Sequence, residues 1–294
     1  MVFGSANNNI ISNITAISIE RSGRFGNSIV QLSHAYHIAK AIGVTRIYVP
    51  DFWYIPEGTS KTTSGIELIN VSQSDFSLEK VVLEGMFFFY EALAGLSNTK
   101  PNHYLNIIDL IEVTNLKYPS QSLGKEDLVI HIRSGDIFIN PHSHYGQAPL
   151  SFFKKIIELQ SWHSISLVFE DKSNPIIDPL IDFSKQCCLQ VQEISGELKS
   201  DIEYLLKAKV LVVSNGTFGS AIAVISKNLE TVYYFETGFS SWGNPNILSI
   251  RVADQQGIYK SKILSQNWQN TESQRKLMLK YPIDALDFDP VFTH

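Results

Sequence analysis

The stretch Leu128-Val-Ile-His-Ile-Arg-Ser-Gly-Asp136 changes character halfway along. Its first half is a short apolar, β-branched run of the kind that fills a strand buried on both faces of a parallel sheet, and its second half gathers His, Arg, Gly and Asp. In open α/β sheets ligands bind outside the carboxyl ends of the strands. His131 and Arg133, two residues apart and so on one strand face, would therefore converge with Asp136 on a crevice. Arg133 carries a permanent cation with a planar fork of donors suited to a diphosphate, and Gly135 lets backbone approach a ligand closely. The same residues also fit a surface turn closed by a local Arg–Asp pair, and the stretch alone does not choose between the two.

Two further loops follow apolar strands. Ser214-Asn-Gly-Thr-Phe-Gly-Ser220 comes after Val-Leu-Val-Val and leads into small residues. Hydroxyls, backbone N–H groups and a helix start at that point would cradle an anion, although an ordinary capped helix start has the same composition. Glu170-Asp171-Lys172 comes after Ser-Leu-Val-Phe and offers carboxylates either to a base or ribose hydroxyl or simply to solvent. Near the beginning, Arg21-Ser-Gly-Arg-Phe-Gly-Asn27 stands between an alternating run and a helical one. Gly23 and Gly26 lack the third glycine, and the acidic residue about 20 positions on, of a dinucleotide fingerprint. What remains is a glycine-hinged loop at a helix start, with Arg24 and Asn27 facing an anion or a sugar hydroxyl, or Asn27 acting as an N-cap.

The elements that would position these loops are legible in the second half. Strand 128–133, a helix at about 150–160, strand 165–170, a helix near 176–186, strand 189–194, helix 199–208, strand 210–214, helix 218–227 and strand 231–235 alternate as in a parallel sheet covered on both faces. At the other end, Met1 to Ser12 reads as a loose lead-in. Residues 14–20 read as a strand; Ile29, Leu32, Ala35, Tyr36, Ala39 and Ile42 keep helical spacing up to a Gly43 C-cap, and 46–50 read as a second strand. Residues 51–124 are scattered in pattern, with an apolar knot at Met86 to Tyr90 that reads as core, and 115–125 has the composition of a linker. The stretch from Lys262 reads as a polar helix up to Pro282 followed by an acidic tail, packing back across the other domain.

Composition sets bounds. The chain has 294 residues, 44% hydrophobic and 18% charged, which describes a folded protein with a sizeable core. A net charge of −5 without a dense basic stripe argues against nucleic acid as a partner. No apolar run spans a bilayer and no basic-then-apolar leader is visible, so the chain reads as cytoplasmic. Cys187 and Cys188 are adjacent, cannot staple distant segments, and read as small apolar residues entering a strand.

Together the loops resemble the fucosyltransferase superfamily that shares the His-x-Arg-x-Gly-Asp motif, which includes bacterial α-1,2-fucosyltransferases and protein O-fucosyltransferases. Gly23-Arg-Phe-Gly-Asn27 with Gln31, His131-Ile-Arg-Ser-Gly-Asp136 and Ser214-Asn-Gly-Thr-Phe218 follow that family's order, and Tyr145-Gly and Phe169-Glu-Asp171 stand where it has a Tyr-Gly segment and a Ser-Asp-Asp turn. Departures are Ser134 in place of a usual second Arg in the bacterial enzymes, Glu170-Asp171-Lys172 in place of Ser-Asp-Asp, and Gly219-Ser220 in place of a Ser followed by aromatics. They bear on the identity of the nucleotide and sugar more than on the reaction class.

The resemblance implies a GT-B architecture, two Rossmann-like α/β domains facing across a cleft, with an acceptor-side domain 1–122 and a donor domain 123–294. It implies an inverting, metal-independent glycosyltransferase without a cofactor, moving L-fucose from GDP-fucose to a carbohydrate hydroxyl. The alternatives are the same reaction with another nucleotide sugar, or a non-catalytic carbohydrate-binding or scaffold protein. By that analogy Arg133, Asn27 and Asp136 are the catalytic set. Gly23, Arg24, Phe25, Gly26, His131, Asp171, Ser214, Thr217, Phe218, Gly219 and Ser220 line the donor. Asp136, His131, Glu20 and Glu91 are the candidates for the base, with a structural role also open to Asp136 and His131.

Overall fold

The computed structural model describes residues 11–20, 24–71, 79–88, 96–97, 99–188, 190–236 and 238–290. The chain divides into two compact α/β units, one up to Lys117 and one from Tyr118. The division falls five residues before the expected boundary. Tyr118 already belongs to the second unit, because its hydroxyl donates to Ile225 O at 3.0 Å and the Lys227 ammonium lies 4.4 Å from its ring.

In the first unit the strands β1 (Ala16–Ile19), β2 (Arg46–Val49), β3 (Gly58–Lys61), β4 (Glu67–Asn70) and β5 (Val82–Gly85) form one sheet in the order β3-β4-β2-β1-β5. All its pairings are parallel except that of the edge strand β3. Helix α1 (Phe25–Ile42) connects β1 to β2 and ends on Gly43 at φ 75, the left-handed cap expected there. A second helix, α2 (His103–Ile111), packs on α1. Three of the five strands and α2 lie in the stretch whose pattern was not legible. The apolar knot divides: Phe87 is core, Met86 is exposed, and Phe89 and Tyr90 lie outside the described residues.

The second unit is a seven-stranded sheet. Its strands are β6 (Asp127–Ile132), β7 (Ser164–Phe169), β8 (Val191–Ile194), β9 (Val210–Val213), β10 (Thr231–Phe235), β11 (Leu248–Asp254) and β12 (Leu286–Pro290), in the order β12-β11-β10-β9-β6-β7-β8. Only β12 runs antiparallel. The crossovers carry α3 (Asp136–Ile139), α4 (Leu150–Ile157), α5 (Ile177–Cys187), α6 (Leu198–Leu205) and α7 (Thr217–Ile225), and α8 (Glu272–Lys280) precedes the last strand. Leu128, Ile130, Val210 and Val212 in the central strands are buried together with Phe152, Phe153 and Ile156 of α4. That is why these strands read as unbroken apolar runs.

Two Rossmann-like α/β units in one chain are the make-up of the GT-B class. Two expectations are corrected. The C-terminal stretch, expected to pack back across the other domain, ends in a strand of the second unit's own sheet: β12 pairs with β11, where Phe288 faces Val252 and Leu286 faces Asp254. The cysteines do not enter a strand either, because α5 runs on to Cys187, which is exposed, and Cys188 caps it with its thiol turned to Trp162 O.

Candidate functional site

From β6 the chain moves outward through β7 to β8, then crosses back to β9 on the other side of β6 and moves outward again through β10 to β11. The reversal puts a topological switch point between β6 and β9, where crossover helices leave opposite ways and a crevice opens at the carboxyl ends. Paired residues run in register up to Ile130 and Val212. Beyond them the bonding passes to a side chain: the Ser214 hydroxyl accepts from Arg133 N–H at 2.9 Å and donates to His131 O at 2.9 Å. Ser214 therefore stitches the two strand ends instead of turning its hydroxyl to a ligand, as had been expected of it.

The guanidinium of Arg133 sits at this point. Its carbon lies 4.4 Å from the centre of the Tyr145 ring, and a Cβ added to Gly216 would meet Nη1 at 2.4 Å. Gly216 has φ 133, which favours glycine, and it is the residue on which α7 starts. The cation is thus laid against the first turn of α7, whose N–H groups and dipole favour negative charge. Arg133 Nη2 is 3.7 Å from Asp136 Oδ2, the first residue of α3, with side-chain exposures of 17% and 42%. The local Arg–Asp pair does form, but at a separation beyond a hydrogen bond and at an exposure where such pairs add little stability.

The β7 side supports the loop from the other flank. Gly135, at φ 68, donates its N–H to Asp171 Oδ1 at 3.0 Å and to Ser173 Oγ at 2.7 Å, while Asp171 N–H donates to Ser134 Oγ at 3.1 Å. Asn174 Nδ2 donates to Arg133 O at 2.9 Å. Burial raises the Asp171 carboxyl, but hydrogen bonds from Ser173 and from Gly135 N–H outweigh burial and hold it below the ordinary carboxylate value. One oxygen of Asp171, expected to approach a nucleoside, is therefore engaged in fixing the Arg133 loop. Ser134 serves the same purpose through its hydroxyl. Ser173 and Asn174 were not foreseen, because they meet backbone groups 38 and 41 positions away in sequence, respectively.

His131 packs its ring 4.7 Å from that of Phe218. Burial first, and then the Arg133 cation, push its pKa down to about 3. The ring is neutral at ordinary pH, and as a base it lies far from the operating range. The unfolded chain takes up a proton on this ring as pH falls below 6.5, whereas the folded chain takes it up only near 3. Stability present above the higher value is lost as pH falls through that window. The expected result is a decline in unfolding free energy on the order of 1 kcal/mol per pH unit from this ring between those limits. Urea melts at a series of pH values should show a shallower decline in His131→Asn, and an identical slope in the variant would discard the ring as the cause. His103, pushed down to about 4 by burial and then by His34 and His37, contributes in the same direction and cancels in the comparison.

The remaining expected residues separate. Thr217 and Phe218 stand half-buried in the first turn of α7 beside Arg133. Gly219 is a packing glycine, where a Cβ would meet Val213 Cβ at 2.8 Å. The Ser220 hydroxyl accepts from Ser240 N–H at 3.1 Å, which holds the segment after β10. In the first unit Phe25 is core, 5.3 Å from the Tyr54 ring, and Gly26 is buried, so neither presents a side chain to a donor. Arg24 is the exposed N-cap residue of α1, which leaves Asn27 within the first turn and not at the cap. Gln31 accepts from Phe87 N–H at 3.2 Å. Glu20 follows β1 and is exposed; Gly23 and Glu91 lie outside the described residues. Among the described residues no cluster of three or more metal-ligating side chains is arranged to hold an ion, and no helix is long and apolar enough to cross a membrane.

No protein-family model matches the chain, and no curated protein matches it. Solved structures do show likeness. POFUT1 in complex with GDP is 10% identical, over 76% of this chain and 98% of its own, with a TM-score of 0.42. The E. coli heptosyltransferase WaaC with ADP is 13% identical over 89% and 96%, at 0.42, and E. coli ADP-heptose lps heptosyltransferase II is 12% identical over 80% and 90%, at 0.39. Likeness of this degree carries no weight for substrate or for residue roles.

Proposed function

We propose that the chain is an inverting glycosyltransferase that takes a nucleoside-diphosphate sugar at the β6–β9 crevice and transfers the sugar to a carbohydrate hydroxyl. One observation carries the reading: the Arg133 guanidinium is held at the switch point of the sheet, between the Tyr145 ring and the glycine that opens α7. Two sources of positive potential meet there, the cation and the helix start, and a departing diphosphate needs such stabilisation as its charge develops. In the reaction the acceptor oxygen bonds to the anomeric carbon from the face opposite the leaving group. The bond from that carbon to the phosphate oxygen breaks, its electron pair leaves on the diphosphate, and the acceptor hydroxyl's proton passes to a general base or to solvent.

The finer reading, GDP-fucose as donor, is supported by the order of the sequence motifs, and the assignment of the donor to the second unit by the position of Arg133 at the switch point of that unit's sheet. Burial, which holds the His131 ring neutral and weakly basic, argues against it as the base, and Asp136 has an oxygen 3.7 Å from Arg133. A thermal-shift panel of nucleoside diphosphates, followed by donor hydrolysis, tests the assignment. A rise with GDP alone and consumption of GDP-fucose are expected; a rise with another nucleotide replaces the donor, and no rise with any removes the reading.

The reading includes independence from a divalent metal, since the diphosphate partners named here are Arg133 and backbone donors. Hydrolysis should proceed unchanged in EDTA. A loss that Mn²⁺ restores would mean that a cation, and not Arg133 alone, carries the leaving charge.

A further inference from the structure

The two flanks of Arg133 differ chemically. On the β7 side stand carboxylates and hydroxyls engaged with the Gly135 loop. On the side of β9 and β10 a loop of rings continues outward from the guanidinium. The Tyr145 ring covers Arg133, the His142 ring is 5.4 Å from Tyr145, and the His144 ring stacks on His142 at 5.2 Å. Both imidazoles are exposed, and Ile139, 69% exposed, lies just before them at the end of α3.

Exposed rings on a loop are ordinarily mobile, yet this loop is fastened from beneath at several of its carbonyls. Trp268 Nε1 donates to Ile137 O at 3.1 Å and Trp268 N–H to Ser143 O at 3.2 Å. Asn215 Nδ2 donates to Gly146 O at 3.0 Å, and the Tyr259 hydroxyl to Gln147 O at 2.7 Å. Gly146 lies so close to the π-helical turn Lys260–Leu264 that a Cβ would come within 2.2 Å of Ile263 O. The backbone is held by the scaffold while the two stacked imidazoles stay exposed, which is pre-organisation for a partner with an apolar face and a hydroxylated rim.

We propose that Ile139, His142 and His144 form the seat of the acceptor's pyranose ring on the second unit, continuing outward from Tyr145. The proposal rests on the glycosyl-transfer reading for the word acceptor, but the seat itself is a sugar-binding surface testable without turnover. A pyranose presents C–H groups on one face and hydroxyls around its edge; the ring ledge takes the first and leaves the second accessible for reaction beside the diphosphate site.

The test is NMR on the full chain with methyl glucoside, methyl galactoside and methyl mannoside as probes, at roughly tens of millimolar, where weak sugar binding registers. At least one probe should shift the ring resonances of His142 and His144. His142→Ala should abolish the shift at His144, His142→Phe should retain it, and melting temperature and nucleotide affinity measured alongside show that the fold is intact. Silence at both rings with every probe overturns the proposal. So does a shift at His144 that survives His142→Ala, or one produced only by GDP, which would make the ledge a nucleobase platform. Ring shifts without consumption of any nucleotide sugar would refute glycosyl transfer and leave the seat standing; consumption with silent rings would refute the seat alone.

Discussion

Arg133→Lys is expected to lower kcat by on the order of 10²–10³ while leaving most of the donor affinity in place, the loss associated with removing one preorganised donor from a developing oxyanion. A guanidinium engages two phosphate oxygens at once from a fixed plane, whereas an ammonium is a single mobile charge. The plane is fixed here by the Tyr145 ring at 4.4 Å and the glycine at the start of α7, and neither holds a Lys side chain in the same way. Arg133→Ala should be worse in both affinity and turnover. If the residue served only its pair with Asp136 at 3.7 Å, both variants would lose a little stability and keep turnover per folded molecule. Melting temperature, donor affinity and kcat on the same preparations decide between these outcomes, and a Lys variant with wild-type kcat would remove Arg133 from the mechanism.

Gly216→Ala should silence the site without touching any charged group. The new methyl would fall 2.4 Å from Arg133 Nη1, and φ 133 is a conformation that alanine adopts only under strain of about 1–3 kcal/mol. Because the guanidinium is the far end of a flexible side chain, it moves and the fold survives; a displacement of about 1 Å at the reacting group costs on the order of 10² in rate. Gly219→Ala is the matching control. Three residues along, its methyl would strike Val213 Cβ at 2.8 Å inside the helix–strand contact, so stability should fall, by about 1–3 kcal/mol for overpacking. Urea melts should therefore show a loss in both variants, whereas kcat per folded molecule should fall in Gly216→Ala and hold in Gly219→Ala, and a Gly216→Ala enzyme of normal turnover would place the diphosphate elsewhere.

How much of this was legible in the sequence depended on burial. Strands β6, β7 and β9 are buried along most of their length on both faces, so Leu128 to Ile130 and Val210 to Val213 announce themselves as apolar runs. β3 alternates half-buried and exposed residues, and β11 begins exposed, so their patterns resemble those of loops. At the site, the motifs were legible because they fall just past the carboxyl ends of β6, β7 and β9, where chemistry-bearing residues gather. Roles were harder to read. A serine at a strand end can face a phosphate or tie two strands together, and only the third dimension shows that Ser214 ties them while Ser220 anchors Ser240. Tyr145 was visible as a residue but not as the cover of Arg133, since the contact spans a loop whose course the hydrogen bonds of Asn215 and Tyr259 determine.

The Ser214 stitch joins residues 81 positions apart in the chain. While only β6, β7 and β8 have assembled, β6 lacks its neighbour on the other side and the diphosphate seat does not exist; it comes into being when β9 docks, after the longer loop has been closed. A nucleotide bound at the proposed seat would therefore recognise completion of the sheet and no earlier stage of it. Its binding free energy acts on that last docking step, so the ligand should slow unfolding chiefly by holding β9 against β6, and refolding in its presence should gain final yield without gaining initial speed.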